Sequence, residues 1–371
     1  ILKTIINIAI LNIKIFFFKF FIKEGKVILF FFSRKNLTLI NKNYLDYLFN
    51  NFDKKILIIY GHQLKKIDEK NYYYLKESFL LNYLHDVDIF FSNYVSDKFT
   101  KNSIKIYMHH DISTAPLIDK NLEKGLFERL IRYNFIFSSQ KKSNLMFYNF
   151  FIKYSKKKSK KNLPIIYETG YPKLDYLRKN KIKKKLSEKM IVIAPSDYRH
   201  IPKLSIYNEI EMIIDLILSK TSFKIYFRPY PGNLGSKKVL NLVNKYKKNN
   251  KFILDDSNDY FKVYAKSNYL LTDISGTAVT YSFFTNRKVI FYSRDEKLVK
   301  KKYYVNNSYF KDRNKYGVIK NRPKEIINFL NNDKSNTIRN NLRKEITYLD
   351  NSKKRIKYLI KSIIKKNEKK I

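Results

Sequence analysis

The residues best suited to chemistry follow a predicted strand, in the run Asp273-Ile274-Ser275-Gly276-Thr277. An apolar stretch of helical length continues from there. Small residues at a strand-to-helix turn let a phosphate approach the backbone, and a helix N-terminus offers unpaired N–H groups with a positive dipole end. The spacing therefore predicts an anion cradle. It fits equally well an ordinary helix cap at Ser275 or Thr277, which needs no ligand.

A cationic candidate stands at the end of another predicted strand, in Arg228-Pro229-Tyr230-Pro231-Gly232. Ligands of open α/β sheets bind at the carboxyl ends of the strands, and a guanidinium can bind a phosphate through two hydrogen bonds. The position predicts a phosphate contact from Arg228. A surface arginine beside a structural turn fits the same pattern.

Two adjacent histidines, His109 and His110, end a third predicted strand, in a chain that has only five histidines. An imidazole at a strand's carboxyl end suits a general base, because its ordinary pKa lies near neutrality. Successive residues of a strand point to opposite faces, so at most one of the two is expected to face a cleft. The alternative is a neutral histidine bonded to a neighbouring backbone group.

Other chemistries find little support. The chain has no Cys, which excludes disulfides, thiolate zinc sites and a cysteine nucleophile. His62, His85 and His200 are isolated in the sequence, so no metal site is expected. Neither a GxGxxG fingerprint nor a P-loop occurs.

The elements that would position these residues are short, continuously apolar runs, which are typical of strands buried on both faces of a parallel sheet. Helix-length segments such as 205–219 separate them. The pattern predicts two α/β units, one in each half of the chain. The predicted strands are 26–32, 55–60, 87–92, 104–109 and 134–138 in the first half and 190–194, 223–228, 251–254, 269–272 and 289–292 in the second.

A lysine-rich segment separates the two halves: residues 178–189 hold six lysines and one arginine and few apolar residues. This composition indicates a solvated linker. We expect an N-terminal domain over 1–178, a linker over 179–189 and a second domain over 190–333. A second basic run, 156–161, is expected to be a loop within the first domain.

The segment 334–371 is expected to form a basic amphipathic helix, because Ile356, Leu359, Ile360, Ile363 and Ile364 recur at helical spacing among lysines. Such a helix could dock on the globule, or it could lie on anionic lipid. No membrane span is predicted. Lysines interrupt the apolar residues near position 1, and the longest uncharged stretch there, 4–13, is far shorter than the roughly 18 residues a span needs.

The charge is large: 76 Lys and Arg against 32 Asp and Glu give +44 in 371 residues. Such a charge attracts polyanions, including nucleic acid, anionic lipid and phosphorylated substrates. Lys, Ile, Asn, Phe and Tyr are abundant together, as an AT-rich coding sequence would give, so many lysines can be compositional. With 44% hydrophobic residues, the chain is not a disordered polyelectrolyte.

The candidate motifs occur in an order that resembles the CDP-glycerol glycerophosphotransferase family, the enzymes of teichoic-acid and related capsule or surface-polymer synthesis. The resemblance covers roughly residues 85–295. It rests on His109-His110-Asp111 with Ser113 and Thr114, Gly170-Tyr171-Pro172-Lys173-Leu174-Asp175, Ala194-Pro195-Ser196, Arg228-Pro229-Tyr230-Pro231, Thr272-Asp273-Ile274-Ser275-Gly276-Thr277 and Lys288-Val289-Ile290-Phe291-Tyr292.

The resemblance implies a GT-B fold, α/β with two Rossmann-like domains facing across a cleft, and transfer of a polyol phosphate from a CDP-linked donor to a hydroxyl with release of CMP. It implies that 1–178 is the acceptor-side domain and that 190–333 is the nucleotide-donor-binding domain. No cofactor or metal is expected. His110 would be the base that activates the acceptor hydroxyl. The donor's phosphates would be held by Arg228, Ser275, Gly276 and Thr277, with possible further donor contacts from Ser196, Arg199, Tyr230, Asp273 and Thr280.

The chain departs from the family pattern at two positions, since family members usually have His at the position of Tyr230 and an acidic residue at that of Thr280. A GT-B glycosyltransferase with another nucleotide-sugar donor is therefore an alternative. The acceptor is expected to be a surface polymer or a lipid-linked molecule, and the chain to be peripheral at the cytoplasmic face of the cell membrane.

A non-catalytic nucleic-acid binder is the alternative from another class. It would interleave basic residues with exposed aromatics, whereas the aromatic runs here lie in predicted buried strands. We therefore expect no specific nucleic-acid partner.

Overall fold

Two units make up the fold, defined by the contacts among their residues. The computed structural model describes residues 1–32, 45–50, 52–63, 71–112, 120, 122–155, 163–179, 188–257, 259–303, 308–338 and 342–368. Unit 1 comprises Ile1–Ile112, Leu122–Tyr176 and Ile346–Ile371. Unit 2 comprises Ser113–Asn121 and Leu177–Glu345.

Unit 1 is built on a parallel sheet of seven strands in the order β3-β2-β1-β4-β5-β6-β7. Its central strands are almost wholly apolar and buried, as expected for a sheet covered on both faces. The strands are β1 (Lys26–Phe31), β2 (Ile56–His62), β3 (Tyr72–Tyr74), β4 (Ile89–Ser92), β5 (Ile104–Met108), β6 (Phe135–Ser138) and β7 (Ile165–Glu168).

Unit 2 is built on a parallel sheet of six strands in the order β10-β9-β8-β11-β12-β13. Counted within the unit, this is third, second, first, fourth, fifth and sixth, the Rossmann order. The strands are β8 (Met190–Ile193), β9 (Lys224–Phe227), β10 (Phe252–Leu254), β11 (Tyr269–Thr272), β12 (Val289–Tyr292) and β13 (Gly317–Lys320).

Helices connect the strands and cover the sheets. In α5, for example, Ile210, Ile213, Ile214 and Ile217 form the buried stripe against the sheet of unit 2. The helices with defined bounds are α1 (Leu2–Phe21), α2 (Glu123–Leu130), α3 (Lys141–Ser155), α4 (Pro172–Lys179), α5 (Ile210–Lys220), α6 (Lys237–Tyr246), α7 (Tyr260–Lys266), α8 (Thr277–Thr285), α9 (Glu296–Lys302), α10 (Ser308–Lys311), α11 (Arg313–Tyr316), α12 (Pro323–Asn332) and α13 (Ser352–Glu368).

The ten predicted strands are confirmed, each within three residues at either end, and the fold class is confirmed as α/β. The helix predicted over 205–219 is a 3₁₀ turn, Ile206–Asn208, followed by α5. Three short strands, β3, β7 and β13, are not among the ten predicted ranges. The basic run 156–161, Ser113 and Thr114, and most of the predicted linker lie outside the described residues.

The helix predicted near the carboxyl end is α13, and it docks on the globule. Ile356, Leu359, Ile360 and Ile363 are buried in the core of unit 1 with strand residues such as Phe30. The apolar side of this helix is therefore not open to lipid, and docking on the globule is confirmed. The expected separate segment 334–371 is also corrected, because its residues up to Glu345 group with unit 2 and the rest with unit 1.

Helix α1 departs from the expectation that no membrane span is present. It is long and apolar enough, by length and composition, to cross a membrane, with a mean hydropathy of 1.7 in its 18-residue window. Only 22% of that window is buried in the fold. The expectation rested on counting uninterrupted apolar residues, whereas this helix carries lysines within an otherwise apolar sequence.

Candidate functional site

The strand order of unit 2 reverses between β8 and β11, so the loops that follow these two strands leave in opposite directions. A reversal of this kind opens a crevice at the carboxyl ends of the strands, where ligands of Rossmann-like sheets bind. Ser196 follows β8, and the run from Asp273 to Thr277 follows β11. The predicted donor contacts Ser196, Ser275, Gly276 and Thr277 therefore lie at this switch point.

Asp273 joins the two loops. Its carboxylate accepts hydrogen bonds from the Ser196 amide at 2.9 Å and the Ile206 amide at 3.1 Å, and the Ser196 hydroxyl donates to the Ile274 carbonyl. Burial raises the pKa of Asp273, and the amides that donate to the carboxylate oppose that shift. Because Asp273 is only 2% exposed, it positions the switch point rather than offering a surface to a donor.

The turn before α8 is half-exposed over Ser275, Gly276 and Thr277. Gly276 is the N-cap residue and forms no side-chain cap. The Ser275 hydroxyl accepts from the Thr277 amide at 3.4 Å, a long hydrogen bond. Within the described part of the chain, no group accepts a hydrogen bond from the Gly276 amide. The turn thus combines both sequence interpretations: a weak cap is present, and the Gly276 amide in this half-exposed turn still has no acceptor among the described residues.

Tyr309 of α10 holds this turn in place through two hydrogen bonds. Its hydroxyl accepts from the Ser275 amide at 2.8 Å and donates to the Ser275 carbonyl at 3.1 Å. The ring is only 1% exposed. The amide of Ser275 is therefore occupied, and the amides of Ala278 and Val279 donate to the carbonyls of Ser275 and Gly276. The groups left for an anion are the Ser275 hydroxyl, the Gly276 amide and the weakly bonded Thr277 amide.

Arg228 lies at the end of β9, but it is bound within the protein. Its guanidinium donates to the Asp255 carboxylate at 2.6 Å and to the Ser257 carbonyl at 2.7 Å, and both side chains of the ion pair are 10% exposed or less. In this conformation Arg228 is therefore a largely buried arginine held by the loop after β10, rather than the surface arginine that the sequence also allowed. A phosphate would reach Arg228 only through its remaining N–H groups or by replacing Asp255.

Two tyrosines link Arg228 to the turn before α8. The guanidinium carbon lies 5.0 Å from the ring centroid of Tyr260, whose ring lies 4.9 Å from that of Tyr264. The Tyr264 hydroxyl and the Thr277 hydroxyl are hydrogen-bonded at 2.7 Å. Burial raises the pKa of Tyr264, and the positive charge of Arg228 partly offsets this, which places both groups in one electrostatic neighbourhood.

Arg199 and Tyr230 form a second polar group of unit 2. The Arg199 guanidinium binds both carboxylate oxygens of Asp197, at 2.8 and 2.6 Å, and remains 56% exposed. Its hydrogen bonds to Asp197 and that residue's charge raise the pKa of Arg199. A Cβ at Gly232, two residues after Tyr230, would lie 3.0 Å from this guanidinium, so Arg199 lies over the loop that follows β9.

Thr280, the remaining predicted donor contact, is 3% exposed and lies inside α8. Its burial argues against a direct contact to a donor. The position that is usually acidic in the resembling family is therefore a packing position in this conformation.

His110 lies just beyond the carboxyl end of β5 in unit 1 and is partly exposed. Its Nε2 is 3.5 Å from Asp111 Oδ2, and its ring centroid is 5.3 Å from that of Tyr94, which follows β4. The Tyr171 hydroxyl donates to the His110 carbonyl at 2.7 Å. An imidazole beside a carboxylate is suited to accept a proton, because the carboxylate stabilises the resulting imidazolium.

His109 takes no part in such a site. It is 2% exposed and packs edge-to-face on Phe147, and no described residue forms a hydrogen bond with either of its ring nitrogens. Burial lowers the pKa of His109 to about 3, so the ring is neutral near pH 7. The expectation that at most one of the two histidines reaches an open surface is confirmed.

The predicted motif 170–175 anchors α13 instead of holding a ligand. Gly170 has φ +75°, and a Cβ there would lie 2.6 Å from the Thr347 carbonyl oxygen. The Asp175 carboxylate accepts from the amides of Asp350 at 2.7 Å and Ser352 at 2.9 Å, which caps the start of α13. Burial raises the pKa of Asp175, and these hydrogen bonds oppose the shift.

Four residues that hold the predicted site residues in place were not predicted themselves: Asp255, Tyr264, Tyr309 and Asp197. Asp255, Tyr264 and Tyr309 act through partners on other elements. Asp197, one residue after Ser196, binds Arg199 within the same loop. Among the described residues, no group of three or more His, Asp or Glu could hold a metal ion.

Comparison with solved structures supports the architecture. A variant of the wall teichoic acid polymerase TagF soaked with CDPG superposes with a TM-score of 0.63 at 17% identity, covering 99% of this chain and 97% of that chain. The fold is of the GT-B type. The predicted pair of Rossmann-like domains is thereby confirmed.

Enzymes that act on UDP-sugars share this fold. A Staphylococcus aureus MnaA structure with UDP matches at a TM-score of 0.57 and 14% identity, covering 92% of this chain and 97% of that one. A Methanocaldococcus jannaschii UDP-GlcNAc 2-epimerase bound to UDP-GlcNAc and UDP matches at 0.58 and 12%, covering 91% and 99%. No protein-family model matches the chain, and no curated protein matches it by sequence.

Proposed function

We propose that this protein is a transferase that moves glycerol phosphate, or a similar polyol phosphate, from a CDP-linked donor to a hydroxyl of a surface-polymer or lipid-linked acceptor. The observation that carries the proposal is the half-exposed turn Ser275-Gly276-Thr277, at the N-terminus of α8 and the strand-order switch of unit 2. The order of the sequence motifs and the fold shared with TagF support the same reaction.

In this proposal unit 2 binds the donor. Amides at the start of α8 and the hydroxyls of Ser275 and Thr277 receive the diphosphate, with Ser196 beside them. Arg228 and Arg199 supply positive charge. Each is already paired with one carboxylate, which holds its guanidinium in position before a donor arrives.

His110 is the proposed base. Its Nε2 takes the proton of the acceptor hydroxyl, the acceptor oxygen forms a bond to the β-phosphorus of the donor, and the bond between that phosphorus and the bridging oxygen breaks to release CMP. Asp111 stabilises the imidazolium that forms. The reaction needs positioning and charge stabilisation more than a covalent intermediate, which agrees with the groups present.

A GT-B glycosyltransferase with another nucleotide-sugar donor is the second candidate. It is favoured by the UDP-sugar enzymes that share the fold and by Tyr230 and Thr280, which replace residues usual in the resembling family. The two candidates differ in the leaving nucleotide, since glycosyl transfer releases the nucleoside diphosphate.

Equilibrium binding tests the donor half of the proposal. Calorimetric titration with CDP-glycerol, UDP-GlcNAc and a random oligonucleotide, at about 0.05 M and about 0.5 M NaCl, separates a shaped site from general charge attraction. We expect saturable CDP-glycerol binding that survives the higher salt. Oligonucleotide binding that saturates at high salt, without nucleotide binding, would favour the nucleic-acid alternative.

The same titration tests Arg228. Arg228→Ala should weaken CDP-glycerol binding by about tenfold or more, because a charge-assisted contact is lost. Asp255→Asn should leave binding intact or tighten it, since it releases the guanidinium. Arg322→Ala, an arginine 82% exposed elsewhere on unit 2, is the control. An unchanged dissociation constant for a folded Arg228→Ala protein would refute the role.

A further inference from the structure

Helix α1 is fixed to unit 1 along one side. Thr4, Ile8, Leu11 and Ile15, which recur at helical spacing, are buried. Polar side chains of the same helix are hydrogen-bonded to neighbouring backbone. Asn7 donates to the Tyr74 carbonyl at 2.9 Å, and Thr4 accepts from the Lys76 amide at 3.2 Å. Asn12 donates to the Tyr83 carbonyl at 2.9 Å and accepts from the His85 amide at 3.0 Å. The helix therefore lies along the unit as part of its fold.

The opposite side of α1 is apolar and exposed. We call it the outer face; it consists of Leu2, Ile5, Ile6, Ala9, Ile10, Ile13, Phe16, Phe17, Phe20 and Phe21. Phe20 is 71% exposed and Ile13 is 58% exposed. Soluble monomers rarely expose an apolar patch of more than a few hundred Å², and a contiguous patch of this kind marks an interaction site.

The surroundings of the outer face are apolar and basic. The adjacent 3₁₀ turn Phe79–Tyr83 leaves the rings of Phe79 and Tyr83 more than half exposed. Helix α1 contains no Asp or Glu, while Lys3, Lys14 and Lys19 lie on it and Lys23 follows it. At about 100° per residue, Lys3 and Lys14 fall on one border of the outer face and Lys19 on the other. Lys14 donates to Asn71 Oδ1 at 2.6 Å and Lys19 pairs with Asp88 at 3.1 Å, whereas Lys3 and Lys23 are exposed.

An apolar stripe bordered by lysines is complementary to a bilayer with anionic headgroups. It is poorly complementary to a second copy of this chain. A two-fold pairing through the outer face would bring the lysines of two strongly basic chains together. The fixed side of α1 also argues against a spanning helix, since spanning would require Asn7, Asn12 and Thr4 to leave their backbone partners.

We propose that the outer face of α1 is a membrane-docking surface: the helix lies in the plane of an anionic bilayer, with Ile13, Phe16, Phe17 and Phe20 inserted and the exposed Lys3 and Lys23 at the headgroups. The inference goes beyond the proposed reaction, because it depends on neither donor nor acceptor. It also moves the membrane contact from α13, whose apolar side is buried, to α1.

A single tryptophan provides the test, because the chain has none of its own. Phe17→Trp places one reporter on the outer face, and Tyr358→Trp places one at an exposed position of α13. With phosphatidylglycerol-containing vesicles we expect a blue-shifted emission from Phe17→Trp only, quenched most by lipids brominated about 5–10 Å below the headgroups. An unshifted spectrum would overturn the proposal, and strongest quenching at the bilayer centre would indicate a spanning helix instead.

Vesicle flotation with charge variants gives a second, independent measurement. Ile13→Glu/Phe17→Glu should lower partitioning by about 100-fold, because two inserted apolar side chains become charged. Lys23→Gln should lower it by about fivefold at low salt and less at high salt. The matched control is Met212→Glu/Leu240→Glu, which changes two exposed apolar residues on helices of unit 2.

The outcomes are distinct. Flotation of the Ile13→Glu/Phe17→Glu protein at the wild-type level would contradict docking through α1. If wild type does not float but sediments as a dimer that this variant dissociates, the outer face is an interface between copies and the proposal is wrong. Circular dichroism of each variant shows whether unit 1 remains folded.

Discussion

His110 and Asp111 show how a local pattern can identify a residue's type of chemistry but not its partners. The position after a strand predicted both histidines, and only the structure separates buried, neutral His109 from His110 beside a carboxylate. The environments of the two histidines differ because the His109 ring packs on Phe147 of α3, whereas the His110 ring lies beside Tyr94 in the loop after β4.

Replacing His110 tests its role as base. His110→Ala should lower turnover by about 10²- to 10⁴-fold, the usual contribution of general base catalysis, and leave the nucleotide dissociation constant unchanged. Turnover is measured as nucleotide release at saturating donor. His85→Ala, which changes an exposed histidine of the same unit, is the control. Near-normal turnover of the His110→Ala protein would show that another group accepts the proton.

At the scale of elements, the strands were predictable and their cross-connections were not. Continuous apolar runs indicate buried parallel strands because both faces of such a sheet are covered. Arg228 illustrates the limit: its place at the end of β9 follows from the sequence, but its partner Asp255 lies after β10, and no local pattern links the two. Tyr309 behind Ser275 was missed for the same reason, 34 residues away in sequence.

The motif 170–175 illustrates a second limit. Its order within the sequence suggested a functional segment, and the structure shows it capping α13 and holding the His110 backbone through Tyr171. Short motifs of Gly, Pro and Asp serve turns and caps as readily as ligands. Which use applies depends on what packs against the turn, and here that is a segment more than 170 residues further along the chain.

The anchoring of α13 can be tested at Gly170. Gly170→Ala should lower the free energy of unfolding by about 2 kcal/mol or more, because the residue keeps a left-handed φ and its Cβ would clash with the Thr347 carbonyl. Gly125→Ala is a matched control within α2, where a Cβ meets open space, and should instead stabilise by about 0.5–1 kcal/mol. Urea unfolding followed by circular dichroism measures both. Equal effects of the two substitutions would contradict the strain at Gly170.

At the scale of the whole molecule, the charge of +44 gains a more specific interpretation. Composition alone does not show whether the lysines serve to attract polyanions, because an AT-rich coding sequence also enriches a protein in lysine. The structure adds the outer face of α1, where lysines border exposed apolar residues. The outer face could not be predicted from the sequence, because the fixed and exposed sides of α1 are both apolar. Only contacts with the rest of unit 1 distinguish the two sides.

The central claim is that the bound nucleotide leaves as CMP when a polyol phosphate is transferred. The direct measurement offers the full chain a panel of CDP-polyols and UDP-sugars with a mixture of hydroxyl-bearing acceptors and identifies the released nucleotide by mass spectrometry. We expect CMP, released from a CDP-polyol only when an acceptor is present, together with an acceptor heavier by one polyol phosphate. Release of CDP or UDP with a glycosylated acceptor would contradict the account.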